Sequence, residues 1–448
     1  MDSTQGSLME NKIIGIFIVV ILMGTAVLPD VIAGFEQNKE VINSIDDCSN
    51  LYYINKSYLI SNPKVPYVGQ GNDSFCSLAS TAMQINYHGF NTTLPEILHD
   101  VGYGYLRIYC NVILPSRLPL GGAGITQLDF SMEFLAEIYN LTFKDFSLIK
   151  DLEEDSLWDS YYEKIKDLIN SDIPIQTGVD PYRLTFWNER LNYSNETTGG
   201  HAVVIVGYNE TNNTICYNDP YASAMNVSGM YIWEDQEIFR TGVEGMNGFY
   251  KIYVFYKQNQ VEKPMRKERF EKAHDMNIQR LQGDFKYYFG VDIDPSDLPF
   301  IYRLFINSCY HIGINAAEKQ KIDVNGPFQR LITLYLYKQY ETMLFSPYYG
   351  YYDVFQQIEN VSTYLLEQQN LSLLCLHDGL LLKQESILWN NLSIYFKEIQ
   401  EINLNNSLGK TFMLTNPIFD EIMKTIDEII NIEQEILNNS LNIDKWEK

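Results

Sequence analysis

A chain of 448 residues is too long for one hydrophobic core of ordinary size, so two domains are expected. At 46% hydrophobic and 20% charged it is globular in composition, which excludes a chain too polar to fold. A formal net charge of −24 repels phosphate backbones and argues against a nucleic-acid partner.

The first patterned segment, Ile13 to Leu28, is almost wholly apolar. It suits a signal-peptide core or a short membrane anchor, and Val31 and Ala33 offer small residues at a signal-peptidase spacing. Lys12 is set against Asp2 and Glu10, a poorly cationic lead, so removal and retention as an anchor both stay open. N-x-S/T acceptor patterns recur from Asn55 to Asn438, well above the roughly four or five that chance would give. An exported, glycosylated chain, secreted or held at the cell surface, is therefore expected. Residues 1–34 are read as the signal or anchor and 35–59 as an extended lead-in.

From residue 60 to 257 the pattern is mixed α and β. The stretch "CSLASTAMQINYHG" carries Leu78, Ala79, Ala82, Met83 and Ile85 at helical spacing and ends at Gly89. "QLDFSMEFLAEIYNL" and "SLWDSYYEKIKDLIN" read as two more helices. The runs "IPIQTGV", "HAVVIVGY", "TICYNDP" and "GFYKIYVFYK" read as strands, the last as an edge or half-buried one. Residues 258–280 are polar, charged and contain Pro264, which predicts a linker. Residues 281–448 show no β-rich run and are expected to form a helical domain. Asn416-Pro417 suggests a cap and first-turn proline before a helix striped by Ile418, Ile422, Ile426, Ile429, Ile432 and Ile436.

Three local patterns carry chemistry. Cys76 stands at the first turn of its helix, where unpaired backbone N–H groups favour the attacking thiolate. Gln70, six residues earlier on a polar loop, is placed to aim an amide N–H at a developing oxyanion beside the Cys76 N–H. His201 begins a strand after two glycines and can take and return the cysteine's proton. Asp219 ends the next strand. A hairpin centred near Glu210 brings it diagonal to His201, as the group that orients the imidazole; a one-residue slip would substitute Asn218.

The remaining candidates carry less. Cys48, Cys76, Cys110, Cys216, Cys309 and Cys375 lie far apart without a CxxC pair, so zinc-ribbon spacing is absent. In an oxidising compartment up to three disulfides are the competing expectation, and one of them would consume Cys76. His88 reads as a helix-end residue, and His274, His311 and His377 lack metal-ligand spacing. No metal and no cofactor are expected.

Taken in order, Gln70, Cys76, "ASTAMQINYHG", "GGHAVVIVGY" and "YNDP" resemble the papain-like cysteine peptidases of the bacteriocin-processing, double-glycine leader peptidase type. The resemblance implies an α+β, papain-like cysteine peptidase fold over 60–257, helices packed on an antiparallel sheet, followed by the all-α domain. It implies triad roles for Cys76, His201 and Asp219 and an oxyanion role for Gln70. Two departures stand out: Ser77 and Leu78 replace the family's small residues after the cysteine, and no exporter segment accompanies the domain. The segment "ILHDVGYGY" is similar to the amino-terminal domain of butirosin-biosynthesis acyltransferases. The expected function is a thiol-dependent hydrolase of peptide or amide bonds. An acyltransferase using the same thioester, or a silent binding or scaffold protein that keeps the fold, are the alternatives. The helical domain is expected to cover the cleft, bind a protein partner or mediate assembly.

Overall fold

Alternating apolar runs become strands and helical spacings become helices through most of the first half. The computed structural model describes residues 56–61, 64–71, 75–105, 108–110, 129–148, 154–190, 200–246, 250–257, 261–284, 310–312 and 347–440, with scattered positions from 314 to 334. In chain order the first elements are β1 (Ser57–Leu59), α1 (Cys76–Tyr87), α2 (Leu94–Asp100), β2 (Ile108–Cys110), α3 (Asp129–Ile138) and β3 (Leu141–Asp145). Next come α4 (Glu154–Asn170), β4 (Ile175–Val179), β5 (His201–Asn209), β6 (Thr214–Asn218), β7 (Ile232–Asp235), α5 (Gln236–Glu244) and β8 (Tyr253–Lys257). Then follow α6 (Arg266–Gln282), β9 (Tyr310–Ile312), α7 (Pro347–Glu367), α8 (Leu373–Asn405) and α9 (Leu408–Ser440).

The main sheet is antiparallel and seven-stranded, ordered β3-β8-β4-β5-β6-β7 with β1 also paired to β5. Adjacent residues of β4 show how it is covered. Gln176 accepts from Thr81 of α1 (2.8 Å), while Thr177 meets Tyr161 of α4 (2.7 Å). Successive strand residues face opposite sides, so α1 and α4 lie on opposite faces. One apolar core gathers α4, β4–β6 and α5 around Trp158, Tyr161, Ile205 and Phe239. A second joins Leu78, Ala82 and Ile85 of α1 to α2, α3 and α6–α9, including Trp389 and Ile429. The described residues fall in one compact unit, Ile54–Asp294 with Cys309–Lys448.

Several local expectations change. The stretch expected as a linker is helical over Arg266–Gln282, and Phe270, Ala273, Met276 and Leu281 are buried. Its buried charges disguised it: Arg269 and Arg266 both ion-pair with the buried Glu96 of α2 at 2.9 Å. Part of the expected lead-in, Ser57–Leu59, is a strand on β5. β8 is an interior strand between β3 and β4 rather than an edge. A short strand, Tyr310–Ile312, does occur in the second half, paired with Ile108–Cys110. Asn416-Pro417 does not start a helix, because α9 runs through Pro417. The proline's lost hydrogen bond is tolerable there because Asn416 and Pro417 sit on the exposed side of α9. Four members of the isoleucine stripe, Ile422, Ile426, Ile429 and Ile436, are fully buried, and Ile418 and Ile432 pack against that core. The apolar segment Ile13–Leu28, and Cys48 and Cys309, lie outside the described residues. Among those described, no helix is long and apolar enough to cross a membrane.

Candidate active site

Cys76 opens α1. The preceding Phe75 has the non-helical φ of −103° of a cap residue, and its own side chain makes no capping hydrogen bond. The positive end of α1 is therefore turned on the cysteine, which favours a negative sulfur. Cys76 is 8% exposed, and its thiol is free, as are those of Cys216 and Cys375. No disulfide consumes it.

His201 and Asp219 meet because of a fault in the strand pairing. From the turn, Asn209 opposes Thr214, Tyr208 opposes Ile215 and Gly207 opposes Cys216. The register then shifts, so that Ile205 opposes Tyr217 and Val204 opposes Asn218, leaving Val206 as a β-bulge. A one-residue shift moves every later side chain to the other face. Unshifted pairing would have set Asn218 opposite Ile205, on the face that His201 shares. With the bulge, Asp219 lies diagonal to His201 on that face, and Asn218 turns away to accept from the Tyr231 N–H at 2.8 Å. Beside the bulge, Gly207 lets β1 approach β5 closely: a Cβ there would lie 2.8 Å from the Tyr58 carbonyl oxygen and 2.9 Å from Leu59 Cδ1 of β1.

The Asp219 carboxylate is fully buried. Its Oδ1 lies 2.7 Å from His201 Nε2 and accepts from the Tyr221 N–H at 2.9 Å. Its Oδ2 accepts from Trp187 Nε1–H at 2.8 Å. Burying a carboxylate costs several kcal/mol, roughly, unless such donors replace water. Trp187 also stacks on Tyr221, with centroids 4.7 Å apart, and meets the His201 ring edge-on at 5.0 Å. These rings keep water from the His201–Asp219 bond. Sequence reading missed Trp187, which stands in "LTFWNER" without any local motif.

Burial alone would push the Cys76 thiol up and the His201 imidazole down, since each charged form is desolvated. Their pairing reverses both shifts. The hydrogen bond from His201, its charge, and a main-chain hydrogen bond from Ala202 bring Cys76 below its ordinary value. The Asp219 carboxylate, aided by Cys76, raises His201 to about 10. With Nε2 committed to Asp219, Nδ1 is the nitrogen left for the sulfur. Both shifts favour the thiolate–imidazolium pair over the neutral one.

A cleft of about 60 Å³ opens over Cys76 and His201, with Gln176, Gly178 and Lys251 on its walls. The bulk after the cysteine does not fill it. Leu78 points into the core at 2% exposure, and the Ser77 hydroxyl is held by Gln176 Nε2–H at 2.9 Å. Gln70 is buried, and its backbone N–H donates to the Pro220 carbonyl at 3.0 Å. Tyr67 on the same loop donates to the Asp219 carbonyl at 2.9 Å. The loop expected to bear the oxyanion donor is thus tied to the turn that bears the carboxylate; residues 72–74 between Gln70 and Cys76 lie outside the described ones.

The other candidates sit elsewhere. His88 ends α1 with Nε2 2.8 Å from the Phe255 carbonyl oxygen, and His274 is buried near Asp378. The side chain of His311 lies outside the described ones. Among the described residues no three His, Cys, Asp or Glu side chains are grouped to hold a metal ion. The "ILHDVGYGY" segment closes α2 and enters the core shared with α6–α9. There, a Cβ on Gly102 (φ +95°) would meet Arg280 Cδ at 2.5 Å.

No curated protein matches the chain. Over residues 63–241, a span holding Gln70, Cys76, His201 and Asp219, the chain matches the Peptidase_C39 like family, a similarity consistent with a papain-like domain of the C39 peptidase type there.

Proposed function

We propose that this domain is a thiol-dependent hydrolase of peptide or amide bonds. The observation that carries the reading is the buried relay from Cys76 through His201 to Asp219, with its 2.7 Å imidazole–carboxylate contact. In this reading the Cys76 thiolate attacks the scissile carbonyl carbon. The Cys76 N–H at the start of α1, with the Gln70 amide, stabilises the oxyanion. The His201 imidazolium gives its proton to the departing amine, and the acyl group remains on sulfur as a thioester. Water, deprotonated by His201, then attacks the thioester, releasing the acid and restoring the thiol. Asp219 holds the ring and stabilises its charge throughout.

The test is a fluorogenic peptide library presented to the full chain, with mass analysis of Cys76 for a trapped acyl group. Hydrolysis lost in Cys76→Ala and in His201→Ala supports the reading. A wild-type protein that neither cleaves nor acylates would sink it in favour of a binding protein. Product appearing only when amines are added would instead assign acyl transfer. The apolar segment before the domain and the abundant acceptor sequons support an exported, glycosylated chain that meets its substrate outside the cell.

A further inference from the structure

We propose that Lys251 makes the cleft selective for acyl donors that carry a carboxylate beside the scissile carbonyl, an inference that rests on the hydrolase reading. Its basis is the register of three strands. β8 pairs with β4 at Tyr253 and Gln176, which sets Lys251 opposite Gly178 two residues on; Gly178 in turn is opposite Ala202, next to His201. Gln176 and Gly178 share the face covered by α1, since Gln176 donates to Ser77 there. Gly178 puts no side chain on that face. A Cβ there would lie 3.8 Å from Lys251 Cδ and 3.5 Å from Met246 Cε, so both side chains extend across the gap. The Lys251 stem thereby crosses towards the cleft that also exposes Cys76 and His201.

Among the described residues no carboxylate pairs with Lys251; its Nζ rests 5.7 Å from the centre of the Tyr253 ring. In a chain with 57 acidic and 33 basic residues, a half-buried lysine without an acidic partner among the described residues stands out. The molecule as a whole repels anions, but that field is screened beyond a Debye length of about 10 Å. Among the described residues that line the cleft, the fixed charge besides the reacting couple is this ammonium. A carboxylate on the donor therefore gains an ion pair there, and a basic side chain meets repulsion.

The test compares two alkylating reagents on the full chain: anionic iodoacetate and neutral iodoacetamide, with Cys76 modification followed by peptide mass. Lys251→Gln is expected to lower the iodoacetate-to-iodoacetamide rate ratio about threefold, and Lys251→Glu about tenfold. Lys251→Arg should keep the ratio. Peptide substrates should follow, with a Glu residue at the scissile carbonyl preferred over Gln in wild type and rejected by Lys251→Glu. A ratio unchanged in both Lys251→Gln and Lys251→Glu overturns the proposal. Iodoacetamide reports the cysteine itself: if it labels wild-type Cys76 no faster than a free thiol, the hydrolase reading fails. If its rate holds across the variants while the ratio stays flat, only the role of Lys251 fails.

Discussion

At the scale of single residues the site is a balance between burial and pairing. The rate in this reading needs thiolate and imidazolium together. Activity should rise as Cys76 ionises, from below its ordinary value, and fall as His201 loses its proton near pH 10. In Asp219→Asn the carboxylate that raises His201 is gone, so the falling limb should move to lower pH by a unit or more. The same change should lower kcat/KM by about a hundredfold or more, and a pH–rate profile of both proteins checks both effects. Trp187→Phe keeps the ring but removes the donor to Asp219 Oδ2. Loss of that buried hydrogen bond should cost about 1–3 kcal/mol of stability, read by chemical denaturation.

At the scale of elements, the β5–β6 bulge decides which residue faces the imidazole. Gly207→Val adds a side chain where even a Cβ would meet the β1 backbone at 2.8 Å. β1 must move or the register must revert. We expect a loss of roughly 2–3 kcal/mol and a fall in Cys76 alkylation rate, the second because a reverted register offers Asn218 in place of Asp219. In α9, Pro417→Ala restores a donor inside a helix and should raise the melting temperature, since interior proline disfavours helix by about 3 kcal/mol. The existence of most elements was legible from periodicity, as with α1, α4, β5 and β6. α6 was not, because Arg269, His274, Asn277 and Arg280 are polar residues that are nevertheless buried. Their partners, Glu96 for Arg269 and the His99 carbonyl for Asn277, lie far back in the chain.

At the scale of the molecule, the helices after β8 complete the core of the domain before them. Leu78 and Ile85, on the helix that presents Cys76, share one apolar cluster with Phe270, Trp389 and Ile429. A chain ending at Lys257 would expose that surface and leave Glu96 buried without Arg266 and Arg269. Removing partners of a buried charge costs about 3–5 kcal/mol even before the lost apolar burial. Such a truncation is expected to bind a hydrophobic dye and lose cooperative unfolding; a folded, alkylation-competent 1–257 fragment would contradict this.

The order of motifs alone determined the fold class, the place of Cys76 at a helix start and the pairing of a histidine with a residue at the end of the next strand. Those signals are local, because helix caps, period-two runs and turn residues act over a few positions. Tertiary structure decided the rest: Asp219 over Asn218 through a bulge in the β5–β6 pairing, the indole of Trp187 on the carboxylate, and the polar helix α6 inside the core. Each depends on a contact between distant segments, and the energy of such a contact is written in neither segment by itself.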